Sequence, residues 1–132
     1  MRLQISVRES RDVTIVDLQG RAIVRDESEL VGKQLCELID DGRCKLLLNL
    51  ENLTQIDSTG VSVLAKACVS LRRQGGDLRL LRPGGHVLEV FKVLHLLEMI
   101  PSFEDEASAL ASFQSLGSPQ NTRAPEGTTL FR

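Results

Sequence analysis

The chain has no tryptophan and no tyrosine, and its four phenylalanines bring aromatic content to only 3%. Recognition of bases or sugars by stacking therefore has almost nothing to work with. Only two histidines occur, His86 and His95, neither at ligand spacing from a cysteine or from the other. A tetrahedral metal site needs four converging N, S or O donors, so no metal is expected, and no cofactor is assigned. The three cysteines, Cys36, Cys44 and Cys68, are odd in number and lack a CxxC spacing. They read as reduced packing thiols, with Cys36 and Cys68 on apolar faces of the helices predicted below. Charge of one sign is also missing: 16 Lys+Arg against 18 Asp+Glu leave a net charge of −2. A partner held by phosphate neutralisation needs a clustered basic surface, so no nucleic-acid partner is expected. No apolar run approaches the ~20 residues of a membrane span, which argues against direct membrane insertion. The opening MRLQISVRES alternates polar and apolar residues and is not read as a signal peptide. A cytoplasmic protein is the expectation.

What is present is ordinary globular composition, 42% hydrophobic and 26% charged over 132 residues. That length suits one domain, large enough to bury about two thirds of its unfolded surface. Residues 3–8 alternate as a half-buried strand, Ser10-Arg11-Asp12 turns, and 13–18 form a second strand, giving a hairpin. Gly20 is expected to break that strand, with Ala22-Ile23-Val24 as a short third one. Asp26 and Glu29 resemble a capping box, followed by Leu30, Val31, Leu35, Leu38 and Ile39 at helical spacing until Gly42. Residues 44–50, CKLLLNL, form a nearly continuous apolar run, which suits a central strand covered on both faces. Glu51–Ile56 reads as a connection. From Val61, the positions Val61, Leu64, Ala65, Cys68 and Leu71 line one helix face over 58–74, ending at Gly75-Gly76. Asp77–Leu81 is another strand, completing a βαβ unit.

Arg82-Pro83-Gly84-Gly85 then leads into a third helix with Val87, Leu88, Val90, Phe91 and Leu94 as its buried stripe. Arg72 and Arg73 close the preceding helix, where its dipole favours cations, and Arg79 and Arg82 are expected to face water. Pro101-Ser102-Phe103 is extended, and Glu104–Phe113 forms a last helix containing Ala107, Leu110, Ala111 and Phe113. The fold class is α/β: a small mixed β-sheet of about four to five strands with helices packed against it. The domain is expected over 1–116. Residues 117–132 are rich in Gly, Ser, Pro and Thr without periodicity and read as a disordered tail.

The stretch Leu46–Gly60, LLLNLENLTQIDSTG, carries the functional information. It delivers two hydroxyls, Ser58 and Thr59, to the turn between a buried strand and the following helix. In open α/β sheets, function concentrates beyond the carboxyl ends of the strands. Unpaired N–H groups and the dipole at a helix start tolerate a phosphate. Phosphorylation of Ser58 would add about −1.5 to −2 charges there without unfolding the helix. On residue types alone, Asp57 or Ser58 serves equally as a simple N-cap. A hydrolytic nucleophile is disfavoured, because Ile56-Asp57-Ser58-Thr59-Gly60 lacks the first glycine of G-x-S-x-G. Pro83-Gly84-Gly85 lacks the lysine and spacing of a P-loop. No catalytic residue is assigned.

The segment LNLENLTQIDSTG, followed by an amphipathic helix, a Gly-Gly break and a strand, resembles the STAS family of anti-sigma-factor antagonists. The resemblance covers about residues 3–115, including Gly20, Gly75-Gly76-Asp77-Leu78 and the closing Glu106–Phe113. It implies a phosphoswitch protein rather than an enzyme. Unphosphorylated, such a protein binds an anti-sigma factor that is itself a serine kinase, which frees the sigma factor for transcription. Phosphorylation at the position of Ser58 breaks the complex, and a serine phosphatase restores it. The expected partner surface is Ile23, Arg25 and Asp26 in the preceding loop together with Asp57, Ser58, Thr59, Gly60, Val61 and Ser62. The chain departs from the usual pattern at Arg21-Ala22-Ile23, where antagonists often carry an acid, and at Gly60-Val61-Ser62. The alternative within the family is a non-switching scaffold in a signalling complex, or a cytosolic subunit of a lipid-transport ATPase.

Overall fold

The computed structural model describes residues 3–22 and 25–114. Ile23, Val24 and the expected tail 117–132 lie outside the described residues. Strand β1 (Gln4–Ser10) pairs antiparallel with β2 (Val13–Ala22), and β2 pairs parallel with β3 (Lys45–Ile56). Parallel β4 (Asp77–Leu81) and β5 (Ser102–Phe103) complete a five-stranded sheet in the order β1-β2-β3-β4-β5. Helix α1 (Arg25–Asp40) links β2 to β3, and α2 (Ser58–Arg73) links β3 to β4. Helix α3 (Gly85–Val93) with a 3-10 turn (Leu96–Glu98) links β4 to β5, and α4 (Glu106–Ser112) follows. From β2 to β5 each strand is laid beside the last in one direction. Crossovers of a single hand then put α1, α2 and α3 on one face.

The apolar run of β3 follows from that layering. Leu46, Leu48 and Leu50 enter the large core with Val31 and Leu35 of α1, Leu64 and Leu71 of α2, and Phe91 of α3. Leu47 points the other way, into a smaller core with Val13, Ile15, Leu81, Ala109, Leu110 and Phe113 under α4. A strand in the middle of the sheet and covered on both faces is mostly apolar, and Asn49 within it is half-buried and donates to Asp17 Oδ1 at 2.7 Å.

Several sequence expectations are corrected. Gly20 does not end a strand: β2 continues to Ala22 through register shifts between Asp17 and Gln19 and between Gly20 and Arg21. Gly20 takes φ +99 there, a conformation a β-carbon would strain. Residues 51–56 are not a connection but the second half of β3, paired with Gln19–Ala22. Asp26 lies in the first turn of α1 rather than ahead of it, beside Glu27. Leu30 and Leu94, counted in buried stripes, are exposed. In α4 the inward residues are Ala109 and Leu110, whereas Ala107 and Ala111 face out; Asp105 caps the helix, accepting from the Ser108 N–H at 2.9 Å. Cys36 is exposed and Cys68 buried.

Arg79 does not face water. It pairs with Asp77 at 3.2 Å, lies over the Phe113 ring at 5.1 Å and donates to the Ser112 carbonyl at 3.4 Å. Arg72 likewise donates to Asp77 at 2.9 Å and to the Met99 carbonyl. Asp77 at the start of β4 thus ties the end of α2 to the sheet.

Candidate functional site

The carboxyl end of β3 reaches past the sheet and turns directly into α2. Asp57 is the N-cap of α2: its Oδ1 accepts from the Gly60 N–H at 2.9 Å and from the buried Ser28 hydroxyl at 3.3 Å. Its own N–H donates to the Ala22 carbonyl at 3.2 Å, and Val61 N–H donates to the Asp57 carbonyl at 3.0 Å. The turn is therefore stitched to the end of β2 and the start of α1 at once. Gly60 has no room for a side chain, since a β-carbon there would lie 2.6 Å from Ile56 Cγ1 and 3.5 Å from the Ala22 carbonyl oxygen. Close packing of the first helical turn on β2 and β3 requires glycine at this position.

These contacts settle which residue caps the helix. Asp57 takes that role, and Ser58 stands at the first helical position, exposed, with no side-chain hydrogen bond among the described residues. Thr59 and Ser62 are exposed as well. Gly60 and Val61 lie beneath the surface and support the turn instead of presenting side chains outward. Asp26 is exposed on α1, Arg25 is the first residue of that helix, and Ile23 lies outside the described residues.

Sequence reasoning missed the neighbour of this turn. A shallow groove of about 460 Å³ runs between the α2 start and α3, lined by Ile56, Asp57, Ser58, His86, Glu89, Val90, Val93 and Leu94. Beyond His86 and Glu89, its wall on α3 is apolar and open: Val93 is 72% exposed and Leu94 44%. The signal was in the sequence. Val87, Leu88, Val90, Phe91, Val93 and Leu94 wrap around more of a helix than one core-facing stripe can bury. Val87 and Phe91 are the buried ones, and the rest of the belt is left at or near the surface. No hydrogen bond joins Ser58 to His86, so the pair is not arranged as an activated nucleophile and base. Among the described residues no group of three or more His, Cys, Asp or Glu side chains is placed to hold a metal ion. None of their helices is long and apolar enough to cross a membrane.

A three-crossover α/β sheet opened by an antiparallel hairpin, with an Asp-capped Ser-Thr-Gly turn leaving its central strand, defines a STAS domain. The family's sequence pattern matches residues 4–109, and the chain belongs to that family. It is 28% identical over 115 residues to the anti-sigma F factor antagonist of Paenibacillus polymyxa, covering 86% of this chain and 97% of that one. In fold it is similar to an anti-sigma factor antagonist from Mycobacterium paratuberculosis, with a TM-score of 0.77 at 16% identity over 85% of this chain and 94% of the other. It is also similar to the antagonist SpoIIAA in its unphosphorylated form, with a TM-score of 0.71 at 22% identity over 86% of this chain and 96% of the other. The phosphorylated form of the Bacillus SpoIIAA gives a TM-score of 0.63 at 22% identity, over 83% of this chain and 97% of the other.

Proposed function

We propose that this chain is an anti-sigma-factor antagonist switched by phosphorylation of Ser58. Unphosphorylated, it docks in the cytoplasm on an anti-sigma factor that is itself a serine kinase, and the sigma factor is released. The kinase transfers the terminal phosphoryl group of ATP to the Ser58 oxygen, which gives up its proton, and the complex dissociates. A serine phosphatase hydrolyses the ester and resets the cycle. The protein performs no catalysis of its own.

The observation that carries this reading is a division of labour at the turn: Asp57 holds the helix start, and the Ser58 hydroxyl is left exposed and unengaged. Its similarity to the anti-sigma F factor antagonist supplies the class of partner. A phosphate on Ser58 is compatible with folding, because negative charge at a helix N-terminus is favoured by the dipole. It opposes docking, because a dianion carried into an apolar contact must give up its hydration. The partner surface in this reading comprises Ile23, Arg25, Asp26, Asp57, Ser58, Thr59 and Ser62, extended by the α3 wall of the groove, with Gly60 and Val61 supporting it from beneath. Residues 1–116 form the switching domain, and 117–132 lie outside it.

The test compares three forms against the kinase purified with its sigma factor. Ser58→Ala should bind and remain bound through incubation with ATP, while wild type should gain one phosphate, mapped to Ser58 and not to Thr59 or Ser62. Ser58→Asp should bind more weakly, by less than the phosphorylated protein, since it carries one charge and not nearly two. Equal binding by Ser58→Ala and Ser58→Asp would sink the switch and favour a non-switching scaffold.

A further inference from the structure

We infer that His86 is the intramolecular partner of a phosphoryl group on Ser58, so that the phosphorylated form holds itself by an imidazolium–phosphate pair across the groove. The inference rests on Ser58 being the phosphorylated residue. Ser58 stands at the α2 start, His86 in the first turn of α3, and both line the same groove. His86 is exposed and makes no side-chain hydrogen bond among the described residues, so its imidazole is free to turn toward a new acceptor. Of the side chains lining the groove, His86 is the one able to carry positive charge.

The other titratable groups facing it are acids: Glu89 on α3 itself and Asp57 at the α2 cap, whose Oδ1 is already committed to Gly60 and Ser28. A dianion formed on Ser58 is therefore repelled by two carboxylates and attracted by one imidazole. No hydrogen bond joins the hydroxyl to His86. A phosphoryl group extends the side chain by a P–O bond and a shell of acceptor oxygens, and hydrogen bonds between ions are the strong ones. Pairing would place the phosphate in the groove itself. The groove would then be closed to a partner by occupation as well as by charge.

The chain's only two imidazoles make the test direct. Phosphoserine is encoded genetically at position 58 of the full chain, without any kinase, and both histidines are titrated by NMR. His95, bonded to Glu98 at 2.7 Å on the 3-10 turn, is the internal reference. The His86 midpoint should rise by about one pH unit on phosphorylation, a tenfold change in proton affinity, while His95 stays in place. The phosphate's own midpoint, near pH 6 in an unperturbed phosphoserine, should fall, and His86→Gln should return it toward that value. An unmoved His86 midpoint, equal movement of both imidazoles, or a phosphate that titrates alike with and without His86 overturns the pairing. Failure of the kinase to modify Ser58 would instead overturn the switch itself, and the two results are read independently.

Discussion

Asp57 and Ser58 are adjacent, both good capping residues, and only one of them can be holding the helix. Replacing Asp57 by Ala removes the acceptor for the Gly60 N–H, a cap loss of about 1 kcal/mol. It also removes the nearer acceptor of the Ser28 hydroxyl, which is fully buried and keeps only a 3.5 Å contact with the Ala22 carbonyl. A buried hydroxyl left poorly satisfied costs about 1–3 kcal/mol, and the surviving contact puts this case toward the lower end. Together the loss is about 2–3 kcal/mol, a drop of roughly 6–15 °C in melting temperature for a domain of this size. Asp57→Asn keeps an oxygen acceptor and an equally good cap, losing mainly charge at the helix start, so it should cost under about 1 kcal/mol. Ser58→Ala removes an exposed, unbonded hydroxyl and should stay within about 0.5 kcal/mol of wild type. The assay is urea unfolding followed by far-UV circular dichroism, because a chain without Trp or Tyr offers little fluorescence. Unchanged slopes with shifted midpoints would confirm that stability alone has moved. If Ser58→Ala proves as costly as Asp57→Ala, the serine is structural, and the division of labour that supports the switch is wrong.

Val93→Ser should leave stability within about 0.5 kcal/mol and the more packed Leu94→Ser should cost about 1 kcal/mol, yet both should weaken capture of the kinase; unchanged binding would remove the α3 wall from the interface. Thiol alkylation followed by mass spectrometry should modify exposed Cys36 first, half-buried Cys44 next and Cys68 only on unfolding, because burial pushes the Cys68 thiol up as well as shielding it. Acid should destabilise the domain through Asp17: burial pushes its carboxyl up, but hydrogen bonds from Arg8 and Asn49 and the charge of Arg8 more than offset this and hold it below its ordinary value. A lowered folded value means that the unfolded chain binds the proton more tightly. That stability is present above the unfolded value of about 3.9 and is lost as pH falls through the folded one. Asp17→Asn should accordingly lose less stability than wild type between about pH 4.5 and pH 3 in the same urea assay, whereas an identical acid loss would exclude this carboxylate as the cause.

Local pattern alone was enough for the elements whose chemistry is local. CKLLLNL announced a strand covered on both faces, and the stripe Val61, Leu64, Cys68, Leu71 announced α2 to within a residue, because side-chain period and burial are written along the chain. The Asp-Ser-Thr-Gly turn was legible for the same reason. Its spacing places hydroxyls at a helix start wherever the helix happens to pack. What the sequence left open was decided by neighbours distant along the chain. Residues 51–56 alternate too weakly to declare a strand, and they became one because Gln19–Ala22 supplied a partner edge. Asp57 rather than Ser58 became the cap because Ser28 and Ala22, some thirty residues earlier, were folded against it. Arg79 was drawn in by Asp77 on its own strand and by Phe113 on a helix the sequence cannot place over it. Val93 and Leu94 were left outside because α3 has a core on one side only, and apolar residues beyond that width have nothing to cover them. Periodicity reports how many side chains a helix would bury. Only the packing of the other elements determines how many it does bury, and here the difference is the apolar wall beside Ser58.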